Sequence, residues 1–318
     1  MKKNNFLAAY GLAFVLLLAN VFTVMGSPKG KKVTILTPYM SSVTTNQMAN
    51  YLSDRLEDAG VIVTIVDTKG DMAQFASRIE DTVSAMVDAI VIISVDPSQV
   101  EAQLESAFEA NIPVFGVDSG FIEGMAVNAT SDNYAMGKLI GEYLVNDLIS
   151  GEGKIITLTH RPHPGVVKRC EAMDDLLKDN GEIELITEQH VEVPNPIENA
   201  RKIVENLLLA NSEKGSISAI WAAWDEPAIG AAQACLDAGR DEIVITGVDG
   251  NSQALQMIAD GTDLKATVAQ DFEGMAELIS ASIIQMFDDE TIEPGEIYAP
   301  AKLITSQPRS EERRVGKE

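Results

Sequence analysis

Residues 33–67 read VTILTPYMSSVTTNQMANYLSDRLEDAGVIVTIVD, and this stretch decides the fold. Its ends are two β-rich runs, VTILTP (33–38) and VIVTIVD (61–67). Between them, apolar residues recur at helical spacing from about Thr44 to Ala59, and Gly60 after EDA is a helix C-cap signal. The runs are continuous in Val and Ile rather than alternating, the pattern of parallel strands buried on both faces. A strand, a helix and a second such strand predict one step of a parallel α/β sheet.

The rhythm continues along the chain. AIVIISVD (89–96) and IPVFGVD (112–118), opened by Pro113, close a first set, with helical patterns over 72–87 and 99–110. It restarts with GKIITLTH (153–160), IELITEQ (183–189), ISAIWAAW (217–224), EIVITGVD (242–249) and LKATVAQ (264–270). Helices are predicted over 166–179, 196–210, 226–238, 252–260 and 272–287. The fold class is therefore α/β, with two successive doubly wound lobes, each on a parallel sheet. In such sheets ligands bind outside the carboxyl ends of the strands. The polar residues at those ends are Tyr39, Ser41, Ser42, Asp96 and Asp118 in the first lobe. In the second they are His160, Arg161, Trp224, Asp225, Asp249 and Gln270.

The formal charge is -24, from 48 acidic and 24 basic side chains among 318 residues. Phosphate binding needs clustered Lys and Arg, so nucleic acid is excluded as a partner, and sustained contact with anionic lipid is disfavoured. A soluble monomer is expected. Cys170 and Cys235 have neither CxxC spacing nor a neighbouring His cluster; both fall in helical patterns and are read as buried thiols rather than a disulfide. Residues 1–26 carry a basic start at Lys2 and Lys3, an apolar run from Phe6 to Met25, and small residues Val24 and Gly26 at cleavage spacing. This predicts export to the periplasm or cell exterior. The run is long for a signal peptide, so an uncleaved membrane anchor is the alternative. The end, RSEERRVGKE (309–318), is charged, has no apolar period and back-translates to a common sequencing adapter. It is read as a non-native tail.

Six segments together resemble the periplasmic sugar-binding proteins of ABC transporters, the type I family that includes ribose-binding protein. They are NIPVFGVDS, SDNYAMGKLIGEYL, GVVKRCEAM, AIWAAWDEPAIGA, ITGVDGN and LKATVAQD, in the family's order, and the resemblance spans Lys32 to Pro308. It implies two lobes joined by a multi-strand hinge, with a ligand cleft between them. Chain crossings are expected near Thr130, Gln270 and Pro300. The N-terminal lobe would then comprise 31–130 plus 271–299, and the C-terminal lobe 131–270 plus 300–308. The resemblance places Asp118, Arg169, Asp249 and Gln270 on the family's ligand positions. Their chemistry suits sugar hydroxyls: carboxylates accept, guanidinium donates, and an amide does both.

The chain departs from the ribose-binding pattern twice. Trp224 stands where an asparagine usually binds sugar, and the first loop, PYMSSVTTNQ (38–47), offers Tyr39 as its one aromatic. Trp221, inside a strand, is read as core. Trp224, at the strand end on the opposite face, is read as a stacking platform. His160 and His163, in THRPHPGV, are of metal-ligand type, but no third ligand has fitting spacing, so they are read as a specificity loop touching ligand. No metal and no cofactor are expected. The sequence holds no GxSxG, P-loop, GxGxxG or plausible triad, so an enzyme on this scaffold is the weaker reading. The expected function is a receptor that captures a sugar or polyol and delivers it to an ABC permease. The alternative is a sensor presenting its bound state to a membrane chemoreceptor or kinase.

Overall fold

The computed structural model describes residues 26–306; apart from Gly26, the export segment and the charged tail lie outside the described residues. The first part of the chain runs β1 (Lys32–Thr37), α1 (Val43–Asp58), β2 (Ile62–Asp67), α2 (Met72–Ser84) and β3 (Ala89–Ile93). A 3-10 turn (Pro97–Val100) leads into α3 (Glu101–Glu109), then β4 (Val114–Val117) and β5 (Val127–Ser131). Next come α4 (Asn133–Glu142), extended by a π turn (Tyr143–Leu148), β6 (Gly153–Thr159), α5 (Pro164–Asp179), β7 (Ile183–His190) and α6 (Pro196–Ala210). They are followed by β8 (Ala219–Ala222), α7 (Asp225–Asp237), β9 (Val244–Asp249), α8 (Ser252–Ala259) and β10 (Leu264–Gln270). The chain then adds α9 (Phe272–Phe287), β11 (Gly295–Ala299) and β12 (Ala301–Thr305).

The strands form two sheets of six, ordered β11-β5-β4-β3-β1-β2 and β12-β10-β9-β8-β6-β7. Each order reverses at its first strand, so each sheet has a switch point where flanking loops part and leave a crevice. The chain leaves the first sheet after Ser131, returns after Gln270 and crosses again through Pro300, between β11 and β12. β12 runs antiparallel to β10, so the second sheet is not wholly parallel, as had been expected.

In β3 every residue is buried. Ala89, Val91 and Ile93 pack on the face shared with α1 and α9, while Ile90 and Ile92 pack on the face shared with α2 and α3. The double-sided burial read from AIVII holds there. It does not hold for β2, which has the same apolar composition but lies at a sheet edge; Ile62 is 54% exposed. Composition reports what a strand can bury, and its place in the sheet decides what it does bury.

Four regular elements were not anticipated: β5, α4, β11 and β12. The residues of β5, VNATS, are all buried although three are polar. Asn128 is satisfied by its neighbours, its Nδ2 donating to the Ser119 carbonyl at 2.8 Å and to Glu296 at 3.2 Å. A strand buried through polar partners leaves no hydrophobic pattern to read. Among the described residues, no helix is long and apolar enough to cross a membrane.

Candidate functional site

The carboxyl ends of both sheets face one partly open cavity. Its wall takes Tyr39 and Ser42 from the β1–α1 turn, Thr44 and Thr45 from the first turn of α1, Ser94 from the end of β3 and Asp118 from the end of β4. The other sheet supplies His160, His163, Val166, Arg169, Val193, Trp224, Glu226 and Asp249. Six of the seven site residues expected from sequence, namely Tyr39, Asp118, His160, Arg169, Trp224 and Asp249, therefore line it. Gln270 stands behind Asp249 and donates to its Oδ1 at 2.8 Å.

Two of the aspartates are held by unusual backbone. Asp118 has φ +46° and Asp249 φ +126°, and Ser94, also at a strand end, has φ +61°. Left-handed backbone is tolerated by Asp better than by most residues, but +126° lies in territory largely reserved for glycine. The sheet sets the position of each strand end, and this turn in the backbone brings the carboxylate into the cavity.

Arg169 is 2% exposed on α5. Its Nε donates to Asn133 Oδ1 at 2.8 Å, and its Nη1 to the Ala223 carbonyl at 2.9 Å and to Asp249 Oδ1 at 3.4 Å. The helix that carries Arg169 starts at His163, whose Nδ1 accepts from the Gly165 and Val166 amides, and at Pro164, which suits a first helical turn. α4 lies close against it: a Cβ on Gly137 would stand 2.5 Å from the Arg169 carbonyl oxygen, so only glycine permits this approach.

The aromatic residues form one wall. Trp224 is 7% exposed, and its ring centroid lies 6.2 Å from that of His160, at 69°. The Tyr39 ring meets His160 edge-on at 6.0 Å. Trp221 is fully buried in the core, as expected. His160 Nδ1 lies 3.1 Å from the Val191 carbonyl; a carbonyl can only accept, so Nδ1 carries the proton.

Burial dominates the electrostatics. It pushes Asp118 up to about 7 and Asp249 up to about 6, with Arg169 pulling both down. It pushes Glu226 up to about 7, opposed by the Ser42 hydroxyl at 2.8 Å. It holds His163 down at about 3, so this imidazole is neutral, and it lowers His160 as well. Asp225 is raised well above the usual carboxylate range by burial and then by Asp249; the Thr267 hydroxyl at 2.7 Å and the Asn251 amide at 2.8 Å oppose the rise.

Several strand-end candidates serve the scaffold instead. Asp96 accepts the Ser98 amide at 3.0 Å and caps the 3-10 turn. Arg161 grips Glu188 at 2.7 and 2.6 Å and Asp174 at 2.9 Å. Cys170 and Cys235 are buried thiols in α5 and α7. Glu226 was missed as a site residue, although it lies two positions after Trp224. Nothing in DEPAIGA separates a cleft carboxylate from a helix-start carboxylate, since both favour an N-terminal turn.

The lobes meet across the cavity. Ser42 Oγ donates to Glu226 Oε2 at 2.8 Å, and Gln99 Nε2 donates to the Pro162 carbonyl at 3.0 Å. Two doubly wound lobes enclosing one small polar and aromatic cavity define the class of cleft-type solute receptors. The chain belongs to the periplasmic binding protein family, whose model, described as "Periplasmic binding protein domain", matches residues 33–291. It is 29% identical over 249 residues to the ribose import binding protein RbsB of Bacillus subtilis, covering 78% of each chain. Among solved structures, it resembles an ABC transporter solute binding protein from Agrobacterium vitis with bound allitol. That likeness has a TM-score of 0.83 at 30% identity and covers 91% of this chain and 100% of the other. An ABC sugar transporter subunit from Rhodobacter sphaeroides gives 0.83 at 27% identity, covering 89% of this chain and 100% of the other.

Proposed function

We propose that this chain is an exported receptor that captures one sugar or polyol between its lobes and delivers it to an ABC permease. The observation that carries this reading is the cavity itself. It lies between the carboxyl ends of the two sheets, where one small solute would touch both lobes at once. Trp224 and Tyr39 offer apolar faces for a ring, while Asp118, Asp249 and Arg169 offer acceptors and donors for hydroxyls. Gln270 holds Asp249 in place. Family membership and the sugar and polyol ligands named for similar proteins support the same assignment. The receptor works as a monomer, without metal or cofactor, and returns its ligand chemically unchanged.

A thermal-shift screen of pentoses, hexoses, cyclitols and linear polyols, with their amino derivatives, tests this. A ligand in 100-fold excess over its Kd stabilises by about 2.7 kcal/mol and raises Tm visibly. The expected hits are then titrated calorimetrically and recovered intact. A panel with no stabilising member, or recovery of an altered sugar, overturns the assignment.

A further inference from the structure

The charges around the cavity do not balance. Three lining residues are carboxylates, Asp118, Glu226 and Asp249, and Arg169 is the one Lys or Arg among the described lining residues. Arg169 is already engaged with Asn133, Ala223 and Asp249. Asp118 also feels its field, whereas the groups that act most on Glu226 include no cation. Around Glu226 stand the Ser42 hydroxyl, the Val43 amide, Trp224 and the like charge of Asp249.

The histidines do not supply the missing charge. His163 Nδ1 accepts from two helix amides, so its proton sits on Nε2, 3.9 Å from Asp118, and burial keeps the ring neutral. His160 donates through Nδ1 to Val191, which leaves Nε2 a bare acceptor. That Nε2 is buried with no partner, in a side chain more than nine-tenths enclosed. Gln270 gives its amide nitrogen to Asp249, and its Oε1 is likewise buried without a partner. The cavity thus sets three carboxylates and a bare imidazole nitrogen against one guanidinium. A neutral sugar hydroxyl can donate only one hydrogen bond, and an anionic ligand would meet three carboxylates. A bare metal ion does not fit either: among the described residues, no group of three or more acidic, His or Cys side chains is gathered to hold one.

We propose that the solute is a sugar or polyol carrying a protonated amine, with its ammonium on Glu226 and its ring against Trp224. An ammonium brings three donors and the missing positive charge, and Trp224 adds the aromatic face that cations favour. The inference rests on the sugar-receptor reading above and narrows it to a substrate class. The raised carboxylates, about 7 for Asp118 and Glu226 and about 6 for Asp249, fit a cavity short of positive charge. They have a thermodynamic consequence. Near neutral pH the empty cavity is partly protonated, so a cationic solute binds with proton release and binds more tightly as pH rises from about 6, until the solute's own ammonium begins to lose its proton.

The test uses the full chain and matched pairs differing only in amine against hydroxyl: D-glucosamine with D-glucose, D-galactosamine with D-galactose, and an amino-deoxy-inositol with myo-inositol. Calorimetry at pH 7 in phosphate and in HEPES, buffers of different ionisation enthalpy, measures affinity and proton release together. The expected result is that, in at least one pair, the amine binds at least about tenfold more tightly than its partner and releases protons. Glu226→Gln should abolish that preference, with its fold checked by Tm in the same buffer. Equal or tighter binding of the hydroxyl partner overturns the amine assignment and leaves the sugar receptor standing. Amine preference unchanged in Glu226→Gln overturns the role given to Glu226. Binding of no pair member, and of nothing in the wider screen, overturns the sugar receptor itself and this inference with it.

Discussion

At the scale of single residues, the cavity sets burial against charge. Trp224 is nearly enclosed, yet it lines the cavity, so its truncation should act on the ligand more than on the fold. Trp224→Ala is expected to weaken solute binding by about 1–3 kcal/mol through lost stacking and burial, with far-UV circular dichroism unchanged. Titration calorimetry measures this, and full affinity in the variant would return Trp224 to a purely structural role. Glu226 gives a prediction in pH. Burial raises its folded pKa from the ordinary 4.5 to about 7. A raised carboxylate stabilises the fold below its unfolded pKa, and that stability is lost as pH rises through the folded value. Glu226→Gln keeps an acceptor for Ser42 and removes the titration. Without ligand, the variant should match the parent near pH 5 and exceed it by about 1–3 kcal/mol near pH 8. Urea unfolding at both pH values gives the difference, in which the other titrating groups cancel. A constant difference across that range would count against a buried, ionising Glu226.

At the scale of elements, the site depends on how closely helices approach. Arg169 reaches the cavity because α4 and α5 touch at Gly137, where an added Cβ would fall 2.6 Å from the Arg169 Cα. Backbone cannot yield as a flexible side chain does, so Gly137→Ala must move α5. Overpacking of this kind typically costs about 1–3 kcal/mol. The expected outcome is lower urea resistance together with weaker solute binding, since Arg169 moves with its helix. Stability lost with affinity intact would mean that α5 shifts without displacing the guanidinium. Elements were legible where burial is apolar and regular, as in β3 and α9. They were not legible in β5, whose polar residues are buried through Ser119 and Glu296, distant in sequence. β12 was invisible for another reason: its direction follows from the crossing at Pro300, which no periodicity encodes.

At the scale of the whole molecule, the chain crosses three times between the sheets, and the lobes touch through Ser42–Glu226 and Gln99–Pro162. Three short connections permit bending and resist independent tumbling. Two neutral or half-charged hydrogen bonds hold the lobes weakly, whereas a solute contacting Asp118 on one side and Arg169, Trp224 and Asp249 on the other adds several more. Its preference for the closed form is what shifts the population. Moving from mostly open to mostly closed takes on the order of 5 kcal/mol, within reach of a few charge-assisted hydrogen bonds at about 1.5–3 kcal/mol each. Small-angle scattering should therefore give a smaller radius of gyration with saturating solute. Asp118→Ala should reduce that compaction at matched solute concentration. Identical curves with and without solute would remove the basis for closure.

The sequence by itself determined the α/β class, the two successive doubly wound units and the strand ends that carry Tyr39, Asp118, His160, Trp224 and Asp249. Those readings are local: an apolar run, a turn and a polar residue lie within a few positions of each other. The tertiary structure alone decided that Glu226 lines the cavity, that Gln270 bonds Asp249 from behind, and that Asp96 and Arg161 bond within the scaffold. It also decided that Arg169 is shared between Asn133, Ala223 and Asp249, leaving the wall short of cations. The physical reason is that charge balance depends on distances between residues far apart in the chain. Asp118 and Glu226 are more than 100 positions apart in sequence, and packing both sheets around one cavity is what brings them together.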